Sequence, residues 1–390
     1  MQPSPYTPGE VAREVPGRAV QLAQMDERLS YMIDLQRLVG RIRVDVAARG
    51  LGKTSLLREA QRRAEARGAF TVWVTAGEDA GLIGSLAAEI RRRTSDWRSE
   101  THRRLREVLD HLTVTVGLPG VAQLEASFAR EQPAAAAQGV REFEDLIRET
   151  VLAARGEQRG GVVLFVDEIQ AGDPHGLRTL GYAWQHLQSE GQDVPAAVFA
   201  AGLPNSPEAI GSVVTFSERF AYRPLERLND DATMIALAAP ARELGVAWES
   251  AALDVAVAIA QGYPHSVQLI GDATWTIAGY PDAGVTLTAE HVEQAREAVR
   301  SDLEALFRAR WEKATVVEQQ FMRAMADLGD GPVRRSDLAQ ALAASSDELS
   351  VPRARLIDKG LIEVAGRGQL EFTIPGFAEY VRARSTDSAP

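Results

Sequence analysis

The sequence predicts an α/β protein: a doubly wound parallel sheet, followed by an all-α subdomain and a C-terminal winged helix. Apolar strand segments first alternate with amphipathic helices, which is the pattern of a parallel sheet. The next segment has no convincing strand, and the last has three helices followed by a β-hairpin. The predicted divisions are a flexible arm at 1–14, the sheet domain at 15–228 with a surface insertion at about 95–139, the helical subdomain at 229–308 and the winged helix at 311–384.

The composition is that of an ordinary globular protein. Of the 390 residues, 45% are apolar and 25% are charged, as is usual for soluble domains. The absence of cysteine excludes disulfides and thiolate metal sites. The net charge of −11 disfavours non-specific coating of nucleic acid. No stretch reaches the roughly 18 apolar residues that span a membrane, so we expect a cytoplasmic protein with no membrane partner.

The first predicted strand, Arg41 to Val46, follows an amphipathic helix from Ala19 to about Val39. Apolar residues alternate along this strand and occupy one of its faces. Arg43 and Asp45 occupy the other face, which is unusual for a strand that is buried on both sides.

A glycine-rich turn, 49–55, follows this strand and opens a predicted helix, Ser55–Ala66. Its two glycines allow backbone N–H groups to point at phosphate oxygens, and the helix N-terminus adds positive potential. Lys53 can reach the β- and γ-phosphates, and the Thr54 hydroxyl can ligate Mg²⁺. The turn therefore has the chemistry of a phosphate-binding P-loop. The predicted nucleotide-binding residues are Gly50, Leu51, Gly52, Lys53, Thr54 and Ser55.

The P-loop departs from its usual pattern at one position. Ala47 stands where the motif has its first glycine. The extra methyl lies where the loop begins, away from the main phosphate cradle. We therefore expect nucleotide binding to be weakened rather than lost.

A second motif supports the first. The apolar run Val162–Val166 ends in Asp167 and Glu168. Such a run predicts a buried parallel strand that delivers side chains at its carboxyl end. Asp167 is suited to hold Mg²⁺ through its water shell, and Glu168 to polarise an attacking water. The two motifs together predict ATP and Mg²⁺ as cofactors.

The other segments complete the alternation of strands and helices. In the sheet domain, the further predicted strands are 69–75, 194–201 and a short one ending before Pro224, and the further helices are 82–93, 98–112, 141–155 and 176–189, with an Ala-rich linker at 133–139. In the later domains, the predicted helices are 230–244, 250–260, 265–278, 289–308, 316–328, 335–343 and 349–359, and the hairpin strands are 361–364 and 370–373.

Over about residues 15–308 these motifs resemble the AAA+ ATPases, most closely their origin-recognition-like and STAND-type branches. The resemblance implies that Gly17 and Arg18 line the adenine pocket and that Pro264, in Gly-Tyr-Pro, approaches the base. It also implies that Asn205, after the fourth strand, touches the γ-phosphate or the attacking water. The alternatives are an N-terminal turn with a surface arginine, helix punctuation at Pro264, and a simple loop residue at Asn205.

The resemblance further implies an arginine finger at Arg219, in Ser-Glu-Arg-Phe, which would project into the nucleotide site of a neighbouring subunit. This role implies a homo-oligomer, and the alternative is a salt-bridged surface arginine. The usual sensor-2 arginine has no clear counterpart, because His265 and Ser266 follow the Gly-Tyr-Pro element. We therefore expect hydrolysis to be slow.

The predicted winged helix has the residues for a contact with double-stranded DNA. Its third helix contains Arg353, Arg355 and Lys359, and Arg367 lies at the wing tip. Such modules place this helix in the major groove and the wing on the backbone. Against this interpretation, residues 311–390 contain ten Lys or Arg and twelve Asp or Glu, a net charge of −2, which is poor for strong DNA binding.

The first hypothesis is therefore an ATPase that acts as a nucleotide-dependent switch or assembly factor on DNA. The alternative is a STAND-type signalling ATPase whose winged helix binds a protein partner. In a third possibility, the nucleotide is a structural ligand that is never hydrolysed.

Overall fold

The computed structural model describes residues 1–77, 81–97, 100–116, 133–190, 193–345, 347–366 and 368–386. The chain divides into two compact units by its internal contacts. We call Arg18–Val46 with Leu56–Pro224 the sheet unit, and Met1–Gly17 with Ala47–Ser55 and Leu225–Pro390 the helical unit. The P-loop segment thus belongs to the helical unit, which differs from the predicted division at residue 228.

The sheet unit is built on five parallel strands. They are β1 (Arg43–Val46), β2 (Phe70–Thr75), β3 (Val162–Asp167), β4 (Ala196–Gly202) and β5 (Ala221–Pro224). Their order is β2-β3-β4-β1-β5, and every pairing is parallel. Strands β3 and β4 are buried along their whole length, as their continuous apolar runs predict. The α/β prediction is confirmed.

Seven α-helices accompany this sheet in the described residues. They are α1 (Ala19–Asp34), α2 (Lys53–Ala66), α3 (Gly81–Arg93), α4 (Glu100–Val116), α5 (Pro133–Gly156), α6 (Pro174–Glu190) and α7 (Ser206–Gly211), with 3₁₀ turns at Ile169–Ala171 and Ser217–Arg219. The first three residues of α2 lie in the P-loop segment.

The predicted surface insertion at 95–139 is wrong for its described residues. Leu105, Leu109 and Leu112 of α4 are buried in the main core of the sheet unit. Their spacing of four and three residues places them on one helix face. The segment 133–139 was expected to be a linker, but it is the first part of α5, which begins at Pro133. The alanines of this segment favour a helix as strongly as a linker.

The two polar residues of β1 pair with each other inside the sheet unit. Arg43 donates from Nε and Nη2 to the two carboxylate oxygens of Asp45, at 2.9 and 2.8 Å, and both side chains are only 1% exposed. Burial raises the pKa of Asp45, and Arg43 opposes this effect. The pairing explains how a strand with two ionisable residues is buried on both sides.

The helical unit contains the four helices expected after residue 229. They are α8 (Asp230–Glu243), α9 (Ser250–Ala260), α10 (Pro264–Ile277) and α11 (Ala289–Glu312). A parallel pair of two-residue strands, β6 (Ala247–Trp248) and β7 (Thr286–Leu287), was not predicted, because two residues are too few for a strand pattern.

The N-terminal arm was predicted to be flexible, but it packs against these helices. Tyr6 is 2% exposed and makes edge contacts with the rings of Trp248 and Trp275. Its hydroxyl donates to the backbone carbonyl of Leu237. The buried ring of Tyr6, together with hydrogen bonds from Gln2 to backbone carbonyls of the same region, holds a segment whose other residues favour turns.

The last part of the helical unit, residues 316–386, is called the C-terminal module here. It contains α12 (Val316–Leu328), β8 (Val333–Arg334), α13 (Arg335–Ala341), α14 (Ser350–Asp358), β9 (Ile362–Gly366), β10 (Gln369–Phe372) and α15 (Phe377–Thr386). The strands form an antiparallel sheet in the order β8-β10-β9. The three helices and the hairpin agree with the predicted order, and β8 and α15 are additional; the winged helix itself stays a prediction. Among the described helices, none combines the length and apolar character that a bilayer crossing requires.

Candidate functional site

The P-loop segment, Ala47–Ser55, adopts the conformation that its glycines predict. Gly50 and Gly52 have φ of +86° and +83°, in the left-handed region that other residues rarely enter. Lys53 is buried, and its Nζ donates to the carbonyl oxygen of Ala48 at 3.0 Å. Ala47, which replaces the usual glycine, is also buried, at 6% exposure. Its methyl is therefore accommodated where the loop begins.

Distant residues of the helical unit hold this loop. The hydroxyl of Tyr263 donates to the carbonyl oxygen of Arg49 at 2.8 Å. A Cβ atom at Gly50 would lie only 2.0 Å from that hydroxyl, so Gly50 is required by its contact as well as by its φ. The N-terminal arm also reaches the loop, because Ala12 N donates to Ser55 Oγ at 3.1 Å.

Two elements expected around the adenine are brought together in the same unit. A Cβ at Gly17 would lie 2.6 Å from Ala232 Cβ and 3.0 Å from Leu228 Cδ2. Leu228 N donates to the carbonyl oxygen of Gly262 at 2.8 Å. Gly17 and the Gly-Tyr-Pro turn therefore both pack against Leu228. Pro264 is the first residue of α10. The turn therefore also begins a helix, as the alternative of helix punctuation requires.

A buried arginine lies beside Tyr263. Arg310, near the end of α11, lies close enough to the Tyr263 hydroxyl to interact with it electrostatically and donates from Nη1 to the carbonyl oxygen of Gly360 at 3.1 Å. Burial lowers its pKa, and Arg49 acts in the same direction. No sequence signal marks Arg310, because it is one of many arginines on a long helix.

In the sheet unit, Asp167 and Glu168 stand at the carboxyl end of β3. Asp167 is 5% exposed, and its Oδ1 accepts from Glu168 N at 3.0 Å. Glu168 has φ of +51°, an uncommon conformation for a residue with a side chain and one that clusters at functional sites. Its Oε2 accepts from Gln170 Nε2 at 2.6 Å.

Gln170 connects Glu168 to the end of the neighbouring strand. Its Oε1 accepts from Leu203 N at 2.9 Å and from Ser206 Oγ at 3.4 Å. A Cβ at Gly202 would lie 2.7 Å from the same oxygen. Gln170 was not among the predicted site residues, and its only sequence signal is its place two residues after Glu168.

A further residue near Asp167 was also missed. The guanidinium carbon of Arg58 lies 3.4 Å from the centre of the Trp73 ring, a close cation–π contact. Burial lowers the pKa of Arg58, and Asp167 opposes this effect. Arg58 is thus a positive neighbour of the carboxylate that was predicted to anchor the metal.

Asn205 follows β4, which lies between β3 and β1 in the sheet. Its carbonyl oxygen Oδ1 is buried and has no hydrogen-bond partner among the described residues. It does not cap the short helix α7, so a role as an ordinary turn residue does not account for its amide. An orphaned buried acceptor is unusual in a folded protein.

The two arginines of the sheet unit that were predicted to act at a nucleotide site, Arg18 and Arg219, differ in environment. Arg18 is 5% exposed. It is therefore not a surface arginine, which was the alternative to a place in the adenine pocket. Arg219 is exposed; its Nη1 donates to Gln185 Oε1 at 3.0 Å, and its backbone carbonyl accepts from Arg41 Nε at 2.9 Å. The backbone contact fixes the turn that presents Arg219.

The donors of the predicted metal site fit Mg²⁺. Among the described residues, no group of three or more His, Cys, Asp or Glu side chains could hold a metal ion. A P-loop magnesium ion needs few protein ligands, because it keeps several waters and binds phosphate oxygens. A hydroxyl at Thr54 and a carboxylate at Asp167 are oxygen donors of the kind that it prefers.

The predicted DNA contacts that the structure describes lie in different surroundings. Lys359 Nζ lies 2.6 Å from Glu318 Oε2 and donates to the carbonyl oxygen of Lys313 at 3.1 Å. Arg353 is half-buried, and burial and Arg335 both lower its pKa. Arg355 is exposed, but two residues along a helix point it away from Arg353. Arg367 lies outside the described residues.

Sequence comparison adds one match. A family model described as "Domain of unknown function (DUF8462)" matches residues 304–381, which include most of the C-terminal module. No curated protein matches the chain in sequence.

The whole fold is similar to solved structures. A Walker-type ATPase, paby2304, of Pyrococcus abyssi has a TM-score of 0.59 and 16% identity, over 98% of this chain and 99% of that one. The Aeropyrum pernix ORC2 protein, in ADPNP–ADP complexes, has a TM-score of 0.61 and 12% identity, over 98% of each chain. The predicted resemblance to origin-recognition-like ATPases is thus confirmed at the level of the fold.

Proposed function

We propose that this protein binds ATP and hydrolyses it slowly, and that it acts as a nucleotide-dependent switch. The observation that carries the proposal is the P-loop segment, in which Gly50 and Gly52 are left-handed and Lys53 closes back on the loop. The fold supports it, because it is similar to that of a Walker-type ATPase. The ORC2 protein of similar fold was solved in complexes with ADPNP and ADP.

The roles proposed for the residues follow their chemistry. The N–H groups of 50–55 and the ammonium of Lys53 bind the phosphates, and the Thr54 hydroxyl is a ligand of Mg²⁺. Asp167 holds waters of the magnesium ion, and Glu168 polarises the attacking water. Asn205 is proposed to accept a hydrogen bond from that water through its orphaned amide oxygen, or to donate from its amide nitrogen to the γ-phosphate. Gly17, Arg18 and Pro264 are proposed to shape the adenine site.

Nucleotide titration by calorimetry tests the binding step. We expect the wild type to bind ADP and ATP with Mg²⁺, and Lys53→Ala to weaken binding at least about 100-fold, because the variant loses the main cation of the loop. Lys313→Ala is a matched control, since it removes one of the other two lysines and should leave the affinity unchanged. Equal affinity of wild type and Lys53→Ala would refute the proposal.

A phosphate-release assay separates hydrolysis from structural binding. Slow release by the wild type, reduced at least about 100-fold in Glu168→Gln with ADP binding retained, is the expected result. The change keeps the shape of the side chain and removes only its charge. Binding without any release in the wild type would leave the nucleotide as a structural ligand.

Arg219 is proposed as the residue that acts on a neighbouring copy of the chain. Its exposed guanidinium is presented by a fixed turn, and among the described residues it forms no ion pair. If ATP promotes self-association, Arg219→Ala should lower phosphate release in the assembled form while leaving the affinity for ADP unchanged. Release that does not depend on protein concentration would argue against this role.

The target of the switch has two candidates. Arg355 and Arg353 offer cations for duplex DNA, and the order of helices in the C-terminal module suits such a role. A protein partner is favoured by the engagement of Lys359 with Glu318 and by exposed apolar side chains on the module. These side chains are Val316, Val317, Val351 and Val364, which are 70%, 59%, 58% and 54% exposed.

Salt-dependent DNA binding distinguishes the candidates. A DNA-acting switch should bind duplex DNA in the presence of ATP, with an affinity that falls as salt rises and is lost in Arg353→Glu with Arg355→Glu. A protein-acting switch should show ATP-dependent self-association without DNA binding. Val351→Ser, which changes an exposed apolar residue two positions before Arg353 on the same helix, is the control for the DNA experiment.

A further inference from the structure

Tyr263 makes a contact with the P-loop that no motif predicts. Its side chain is fully buried, and its hydroxyl donates to the carbonyl oxygen of Arg49 at 2.8 Å. The fit is close, because a Cβ at Gly50 would lie 2.0 Å from the hydroxyl oxygen and 2.5 Å from the ring carbon that bears it. The phenol therefore lies directly against the peptide group that joins Arg49 to Gly50.

This contact fixes the direction of a backbone N–H group. In a planar trans peptide, the carbonyl oxygen and the following N–H point in opposite directions. A hydrogen bond from Tyr263 to the Arg49 carbonyl thus holds the Gly50 N–H on the side that faces away from the phenol. N–H groups of such loops bind anions only when they point inward together, and the left-handed φ of Gly50 leaves this peptide free to turn if nothing holds it.

We propose that Tyr263 is a positioning residue of the nucleotide site, which orients the Arg49–Gly50 peptide so that the Gly50 N–H is directed at a phosphate of the ligand. The proposal rests on the proposed function, because it names a residue that prepares the loop for the phosphates. Tyr263 is not proposed to touch the nucleotide.

Arg310 supports the phenol in this role. Its guanidinium is close enough to the Tyr263 hydroxyl to interact with it electrostatically. A cation near the phenol oxygen makes the O–H group a stronger donor to the Arg49 carbonyl. Burial raises the pKa of Tyr263 above its ordinary value, with Arg310 opposing, so the phenol keeps its proton at neutral pH.

The same arginine links the phenol to the C-terminal module. Arg310 donates to the carbonyl oxygen of Gly360 at 3.1 Å, between α14 and β9. A Cβ at Gly360 would lie 3.5 Å from Arg49 N, so the module approaches the loop backbone. The support of the loop thus consists of Tyr263 just before α10, Arg310 of α11 and Gly360 of the C-terminal module.

The test is Tyr263→Phe, which removes one oxygen and keeps the ring. We expect the affinity for ADP and for pyrophosphate to fall about five- to tenfold, the range of one hydrogen bond that supports a charged contact. The affinity for adenosine should stay the same, because adenosine has no phosphate. Isothermal titration calorimetry with the three ligands gives all three values.

Tyr6→Phe is the matched control. It removes a hydroxyl that is also buried in the helical unit and also donates to a backbone carbonyl, that of Leu237. We expect Tyr6→Phe to lower the melting temperature by about the same amount as Tyr263→Phe. It should leave the affinity for ADP, pyrophosphate and adenosine unchanged. The control thereby separates a general loss of stability from a loss of loop orientation.

Two outcomes would overturn the inference. One is that folded Tyr263→Phe binds ADP as tightly as the wild type; the other is that it loses affinity for adenosine and ADP equally. If Tyr263→Phe does not fold, Arg310→Gln tests the same contact, with an expected two- to threefold loss for pyrophosphate only. Failure of the proposed function itself is distinct, because then the wild type would bind no better than Lys53→Ala.

Discussion

The P-loop and helix α14 are two places in the helical unit where the sequence places cations for phosphate groups, and they are built differently. In the loop, the backbone is fixed by the side chains of Lys53 and Tyr263, which hold the carbonyls of Ala48 and Arg49. On α14 and just after it, the cations face different surroundings: Lys359 bonds to Glu318, and Arg353 is half-buried.

The difference shows that a glycine motif predicts a phosphate site more fully than a basic helix does. A P-loop binds through backbone N–H groups, so a short motif with glycines at fixed places specifies most of its geometry. A basic helix binds through side chains, so its function depends on which of them remain available after folding. The three predictions below test this distinction, from the largest expected effect to the smallest.

The largest effect is expected at Gly50. In Gly50→Ala, the methyl would collide with Tyr263 and φ would be unfavourable, so we expect a loss of at least about 3 kcal/mol in the free energy of unfolding. Gly52→Ala is the matched control, because its φ is similar but nothing lies within 4 Å of its Cβ. It should cost about 1 kcal/mol. Urea unfolding measures both, and equal costs would show that Tyr263 does not constrain the loop.

The second effect is expected at Lys359. In Lys359→Met, the carboxylate of Glu318, which is 1% exposed, loses its ammonium partner. We expect a loss of about 1–2 kcal/mol, limited by the partial exposure of the lysine. Arg355→Met changes an exposed residue nearby and should stay within about 0.5 kcal/mol. If the two variants are equally stable, Lys359 is available for a ligand and the contrast with the P-loop fails.

The effect of Lys359→Met should depend on pH. Burial acts to raise the pKa of Glu318, but hydrogen bonds from Lys359 and Thr315 bring it below its ordinary value. A carboxyl whose folded pKa is lowered contributes stability above its unfolded pKa, about 4.3, and loses that contribution as the pH falls through the folded pKa. The difference in stability between wild type and variant should therefore be full at pH 7 and shrink below about pH 4.

The third effect is expected at Gln170, whose side chain hydrogen-bonds to the predicted catalytic residue Glu168. Gln170→Glu loses the donor to Glu168 but keeps an acceptor for Leu203 N. We expect phosphate release to fall about tenfold, equivalent to about 1.4 kcal/mol, with the affinity for ADP unchanged. Gln170→Ala should lose the same rate and some stability as well, because it leaves Leu203 N unpaired. Faster release would mean that Gln170 restrains Glu168 instead of positioning it.

Much of the fold could be predicted from the sequence. Strands β3 and β4 are continuous apolar runs, and most helices have an apolar face and a recognisable start, so their existence followed from local pattern. The insertion at 95–139 was misjudged because its leucines were outweighed by many charges. The docking of the N-terminal arm could not be foreseen, because Tyr6 is buried by Trp248 and Trp275, which lie more than 200 residues later.

The backbone was predictable where a motif sets it. Gly50 and Gly52 have the left-handed φ that the loop pattern implies, and Asp167 and Glu168 stand at the carboxyl end of β3. Tyr263, Arg310 and Gln170 were not predicted as supports, because their roles depend on contacts that only the folded chain makes. The pairing of Lys359 with Glu318 was not predicted either, because it joins residues 41 apart in the chain and no local pattern indicates it.

The buried pair of β1 has a consequence for how this sequence can change over time. Replacing either Arg43 or Asp45 alone would leave a charge in the core of the sheet unit, at a cost of about 3–5 kcal/mol. Replacing both by apolar residues of similar volume can be nearly neutral. Natural variants of this strand should therefore either keep both residues or have lost both, and a family alignment should show the two positions changing together.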